Sequence, residues 1–169
     1  MAEQVHLEGR LYLIRHGEHN SEGVKRLDEK GRKNLVSLAE KLKPELKDIK
    51  PHNFSFFSTG YLRAVESAIE LVQIFGDEYS QINTSHLLYD AENCKQFFDE
   101  HLANLGKEDI VFAICHLPFV EHFPAWFFNN LHKKPGRFEG EYGPEKGTGI
   151  YIDFRTGEHR ELTFRNPPS

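Results

Sequence analysis

Apolar positions along the chain follow two rhythms that alternate from one end to the other. Residues 11–14 (LYLI) form an unbroken apolar run between polar neighbours, the pattern of a buried strand. Leu35, Leu38, Ala39 and Leu42 then recur at i, i+3, i+4 and i+7, which predicts an amphipathic helix ended by Pro44. FSFFS (54–58) reads as the next strand. Leu62, Val65, Ile69 and Val72 share one face of a second predicted helix that stops near Gly76. A weaker strand is expected within 80–88. Cys94, Phe97, Phe98, Leu102 and Leu105 line a third helix, stopped by Gly106. IVFAIC (110–115) is a continuous apolar run suited to a central strand covered on both faces. A Phe/Trp-rich helix follows over about 118–132 and a Gly/Pro-rich loop over 135–149. GIYIDF and RELTF then alternate around RTGEH and predict a closing β-hairpin.

Strands alternating with helices imply βαβ units. The expected fold class is α/β, a three-layer α/β/α arrangement with a mostly parallel central sheet and a C-terminal β-hairpin. At 169 residues, with no repeat and no low-complexity linker, residues 1–169 are expected to form a single domain.

Composition narrows the function classes. Hydrophobic residues are 38% and charged residues 28%, an ordinary globular balance. The net charge is −5 and no Lys/Arg block stands out, so no nucleic-acid partner is expected. No run approaches the roughly 18–20 apolar residues of a membrane span, so no membrane partner is expected either. The opening MAEQVHLEGR is polar, and Cys94 and Cys115 are too few for a disulfide scaffold. A cytoplasmic location is the expectation. Oligomeric state is not legible.

In parallel sheets, ligands bind beyond the carboxyl ends of the strands. Arg15 and His16 follow the first predicted strand. Ser58 and Thr59 follow the second, with Arg63 one turn into its helix. His116 follows the central strand. Two arginines and two histidines on one rim make an electropositive pocket. Arginine forks match phosphate oxygens, and helix N-termini add N–H donors. The expected ligand is a phosphoryl group or another oxyanion. Neutral imidazole is also a nucleophile at physiological pH. Gly17 would let the chain turn sharply and free a carbonyl to fix the imidazole tautomer. Taken singly, Arg63 reads as a solvated helix arginine and His116 as a satisfied core histidine. Cys115 points away from its neighbour on a strand and reads as core. The spacings His16/His19 and His116/His122 match no standard zinc cluster, so neither a metal nor a cofactor is expected. Phe119, Phe123, Trp126, Phe127 and Phe128 read as a core stripe, and the 135–149 loop as a surface connection.

The LIRHG stretch (13–17) resembles the signature of the histidine phosphatase superfamily, which has the phosphoglycerate mutase-like fold. Residues 25–42 look like the segment that follows RHG in small members. FFSTGYLRAVESAIEL (56–71) resembles the stretch carrying the family's second arginine, matched by Arg63. LLYDAEN (87–93) resembles a Leu-Tyr-x-Ala segment of short forms. VFAICHLPFV (111–120) is similar to the second catalytic histidine segment of the small phosphohistidine phosphatase (SixA) type, and GTGIYIDF fits the family's late strand. The matched pieces are in order and cover most of the chain.

The resemblance implies that His16 takes the phosphoryl group as a phosphohistidine intermediate. Arg15, Arg63 and His116 would hold its oxygens. Because the arginines supply positive charge, a metal-independent phosphatase is implied, acting on a phosphoprotein or a small phosphorylated molecule. The leading substrate is a phosphohistidine protein. The alternatives are a small phosphorylated metabolite, or a catalytically inactive phosphate-binding module. The sequence departs from larger members three and six positions after the histidine, where His19 and Glu22 replace threonine and asparagine, with Asn20 out of register. For a general acid, Asp90, Glu92 and Glu121 are open candidates. A missing acid would favour phosphohistidine, because imidazolium has a pKa of about 6.5 whereas an alkoxide's conjugate acid resembles water at about 15.7.

Overall fold

A computed structural model describes residues 6–133 and 143–166 of the chain. Its elements in order are β1 (Arg10–Arg15), α1 (Glu29–Leu46), β2 (Phe54–Ser58), α2 (Leu62–Phe75), β3 (Ile82–Thr84), α3 (Cys94–Phe97), β4 (Ile110–Cys115), α4 (Leu117–Asn130), β5 (Gly149–Asp153) and β6 (His159–Leu162). One six-stranded sheet has the order β3-β2-β4-β1-β5-β6. The pairs β3–β2, β2–β4 and β4–β1 are parallel. The hairpin strand β5 then joins β1 antiparallel, and β6 lies beyond it. The expected α/β class, mostly parallel sheet and closing hairpin are all present. None of the described helices is long and apolar enough to cross a membrane.

Strand alternation divides the interior into two layers. Leu11, Leu13, Val111, Ala113 and Cys115 face α3 and α4, where they meet Phe97, Phe119, Phe123 and Phe127. Tyr12, Ile14, Phe112 and Ile114 face the other way, against Leu35 and Leu38 of α1 and Ala64, Ala68 and Leu71 of α2. All six residues of β4 are buried, as its unbroken apolar run demands. The aromatic stripe of α4 is core, with Phe119, Phe123, Phe127 and Phe128 buried and Trp126 packed against them.

Five expectations change. Pro44 does not end α1. The helix continues to Leu46, whose buried side chain anchors the last turn in the core. The buried face of α2 is the set Ala64, Ser67, Ala68, Leu71 and Phe75, whereas Leu62 and Ile69 are exposed and Val65 and Val72 half-buried. The weak strand within 80–88 shrinks to the three residues of β3, after which His86–Leu88 form a short 3-10 turn. The third helix widens into a π turn at Phe98–Leu102. Of the loop expected over 135–149, residues 135–142 lie outside the described residues. Its end is not a plain surface connection, because Pro144, Gly147 and Thr148 are buried against the sheet end.

Gly149 is required where β5 meets β1. A Cβ there would lie 1.9 Å from the carbonyl oxygen of Leu13. Gly149→Ala is therefore expected to cost about 1–3 kcal/mol, read as a lower thermal midpoint. An unchanged midpoint would contradict this strand pairing.

Candidate active site

Register brings the strand ends together. Arg15 pairs with Cys115 across β1 and β4, and Ser58 pairs with Ile114 across β2 and β4. The ladder runs one step further: the His16 N–H donates to the Cys115 carbonyl at 3.1 Å, and the Thr59 N–H to the Ile114 carbonyl at 3.3 Å. His16 and His116 consequently leave neighbouring parallel strands at the same height. Their ring centroids are 4.9 Å apart, and both residues are buried.

The His16 ring is fixed from both sides. Its Nδ1 lies 2.9 Å from the Gly17 carbonyl oxygen. A carbonyl only accepts, so Nδ1 carries the proton and Nε2 keeps its lone pair. On the far side, the Arg63 Nε–H donates to His16 Nε2 at 3.4 Å. Ser67 ties the two parts of this arrangement. Its hydroxyl oxygen accepts the Gly17 N–H at 3.0 Å, and its O–H donates to the Arg63 carbonyl at 2.7 Å. The loop holding the imidazole is thereby fastened to the helix that carries the guanidinium.

Gly17 itself is not in a left-handed conformation. The residue must be glycine because a Cβ would stand 2.6 Å from Leu27 Cδ1 and 3.3 Å from the Gly31 carbonyl oxygen. Packing, rather than a sharp turn, sets the requirement. The expected role of a freed carbonyl in fixing the tautomer agrees with the observed contact.

Arg15 Nη1 donates to the Pro144 carbonyl at 3.1 Å, and its Nε–H is buried without a partner among the described residues. His116 Nε2 is hydrogen-bonded to the Thr59 hydroxyl at 2.9 Å. Burial pushes the His16 imidazole down to about 3, with the Gly17 contact opposing and His116, Arg63 and Arg15 adding to the depression. Burial likewise pushes His116 down to about 4, helped by Arg63, Arg15 and His19. Both rings are neutral at pH 7. An electropositive, partly desolvated pocket with an uncharged imidazole nitrogen can bind an oxyanion and attack a phosphorus centre.

No protein-family model matches the sequence, and a search of the curated proteins returns no match. Solved structures do match over nearly their whole length. The protein histidine phosphatase SixA in complex with tungstate superposes with a TM-score of 0.61 at 17% identity, covering 92% of this chain and 97% of that one. The chain has the histidine phosphatase fold. Phosphoglycerate mutase from Plasmodium falciparum gives a TM-score of 0.64 at 16% identity, covering 97% of this chain and 98% of that one. A mycobacterial glucosyl-3-phosphoglycerate phosphatase gives 0.61 at 16% identity, over 91% and 97%.

Within this fold, Arg15, His16, Arg63 and His116 all converge, as the strand-end reading expects. Thr59 joins them through His116, whereas Ser58 turns inward and donates to the Thr59 carbonyl. Asn20 serves its own loop: its Nδ2 donates to the Val24 carbonyl and its Oδ1 accepts the Arg26 N–H. His19 borders the site, its ring centroid 5.5 Å from that of His16, while Glu22 is exposed. Of the three carboxylate candidates, Asp90 lines a groove together with Thr59 and Tyr61. Glu121 is half-buried on α4 and supports the charge of Arg15, and Glu92 is exposed. Cys115 is core, and its S–H donates to the Ile14 carbonyl. His122 is exposed, apart from buried His116. Among the described residues, no group of three His, Cys, Asp or Glu side chains is placed to hold a metal ion.

Sequence reasoning missed Ser67, Tyr61 and Tyr89. Ser67 sits one helical turn after Arg63, so the spacing i, i+4 carries the signal. The two tyrosines carry none without the fold. Ser67→Ala leaves the buried Gly17 N–H unpaired at a cost of about 1–3 kcal/mol. It is expected to lower both the thermal midpoint and the affinity for inorganic phosphate by calorimetry. Unchanged values for both would show the contact to be idle.

Proposed function

We propose that this chain is a metal-independent phosphatase that works through a phosphohistidine on His16, and that phosphohistidine proteins are its substrates. The observation that carries the reading is the polarised His16 ring, with Nδ1–H held by the Gly17 carbonyl and the Nε2 lone pair directed at Arg63. In the first step Nε2 attacks phosphorus, the bond from phosphorus to the leaving group breaks, and the leaving group keeps the bonding pair. As phosphorus bonds to Nε2, the ring becomes cationic, and the Gly17 carbonyl receives a stronger N–H donor. Water then attacks the phosphoryl group, the P–Nε2 bond breaks, and its electrons return to the ring. Phosphate leaves and the water proton passes to solvent.

Arg15, Arg63 and His116 surround the place where negative charge builds up, and the two guanidiniums supply the positive charge that a metal would otherwise bring. The Arg15 Nε–H is buried without a partner among the described residues. The same fold in SixA, a protein histidine phosphatase, and in glucosyl-3-phosphoglycerate phosphatase supports phosphatase chemistry. Among the described residues no carboxylate hydrogen-bonds His16 or His116, and imidazole is the easier leaving group at such a site. A small phosphorylated metabolite is the second reading, favoured by the mycobacterial neighbour's substrate.

The test is phosphate release in EDTA from a phosphohistidine-bearing protein. The native chain is expected to release phosphate and His16→Ala to fall to background. Release from the mutant at the native rate would overturn the role of His16. Activity lost on adding EDTA would overturn metal independence.

A further inference from the structure

Beside His116 the surface carries two tyrosines that phosphoryl transfer to His16 does not use. Tyr61 and Tyr89 have ring centroids 5.6 Å apart, and each lies against the His116 ring, at 5.1 and 4.9 Å. They are 50% and 39% exposed, so their outer faces remain free to be covered. Both line an open groove of about 700 Å³ together with Thr59, His86, Asp90 and Asn93. Thr59, which lines the groove, hydrogen-bonds His116, and both tyrosines touch its ring, so the groove lies next to the two histidines. The Arg63 guanidinium lies 5.0 Å from the Tyr61 ring centroid, which couples the groove wall to the oxyanion-binding arginine.

The charge of the groove is as informative as its shape. Its lining contains no Lys or Arg among the described residues, and Asp90 is its carboxylate. A second phosphate or a carboxylate on the substrate would face Asp90 there, because the nearby Arg63 guanidinium is turned to His16. Tyrosine faces instead favour a flat, weakly polar ring. An imidazole ring protonated on its second nitrogen also suits the Asp90 carboxylate.

Resting on the phosphatase reading, we propose that this groove is the leaving-group subsite and that it selects a planar aromatic or imidazole ring bearing a single phosphoryl group. In the transfer step the ring lies against the exposed outer faces of the tyrosines while its bond to phosphorus breaks. A phosphoimidazolium departs as neutral imidazole, retaining its proton. A phenyl phosphate departs as phenolate and takes its proton from solvent.

Binding of non-hydrolysable phosphonates separates the subsite from catalysis. Phenylphosphonate is expected to bind the native chain about three- to tenfold more tightly than methylphosphonate. Tyr89→Leu and Tyr61→Leu, both at exposed positions, are expected to remove most of that preference. Equal affinity of the two phosphonates, or a preference that survives in both variants, would overturn the ring subsite while the phosphatase reading stands. Failure of both phosphonates to bind would remove the oxyanion site, and the subsite with it. Comparing kcat/KM for N-phosphoimidazole, phenyl phosphate and glycerol 2-phosphate then identifies the ring. A ring substrate whose lead over glycerol 2-phosphate shrinks in Tyr61→Leu and Tyr89→Leu supports the subsite and names its class, and a lead that both variants keep in full, or glycerol 2-phosphate leading, overturns it.

Discussion

The register of β4 between its two parallel neighbours governs the site. Because β1 and β2 both run parallel to β4, their carboxyl ends meet at one edge, and the pairings Arg15–Cys115 and Ser58–Ile114 set the heights of His16, Thr59 and His116. A one-residue slip in either ladder would turn every side chain to the opposite layer, and the two fully buried faces of β4 forbid it. His16 and His116 are separated by a hundred residues and depend on this sheet for their contact. The hairpin contributes from the other side. β5 runs antiparallel to β1, so its beginning, not its end, lies at the edge that carries His16 and His116, and the Thr148 carbonyl accepts the Arg15 N–H.

Electrostatics at that edge are arranged for a guest that carries negative charge. Two arginines share the pocket with two buried imidazoles, and burial keeps the imidazoles neutral. Protonating them beside two guanidiniums would add like charge in a region poor in water. A bound oxyanion reverses the balance, since it gives each cationic or polarised N–H an acceptor. Glu18 and Glu121 support the charge of Arg15, whose own desolvation works against it. The neutral His16 nitrogen and the cationic surroundings are thus two consequences of one burial.

Much of the site is legible from the chain. The apolar runs at 11–14 and 110–115 and the Phe-rich stretch at 54–58 locate the three strands that carry it, because strands buried on both faces, as at 110–115, leave no polar position to confuse the pattern. The polar residues just beyond them are therefore recognisable as candidates. Other features are hidden for physical reasons. Pro44 usually stops a helix, but the burial of Leu46 outweighs it here. The apolar set Leu62, Val65, Ile69 and Val72 competes with Ala64, Ala68, Leu71 and Phe75 on the same helix, and only the packing of the helix on the sheet decides which face is buried. Gly17 is demanded by Leu27 and Gly31, neither of which a local motif can display. Tyr61 and Tyr89 lie 28 positions apart and meet only after β3 and the turn at His86–Leu88 return the chain to His116.

The central claim is that His16 stands neutral, protonated on Nδ1, with its Nε2 lone pair available. Nitrogen-15 spectra of the imidazoles in the native chain, recorded from pH 8 down to pH 4, test it directly. The expected result is an Nδ1–H tautomer for His16 that stays neutral throughout this range, because its folded pKa lies near 3. An Nε2–H tautomer, or a ring that titrates near the ordinary value of about 6.5, would contradict it.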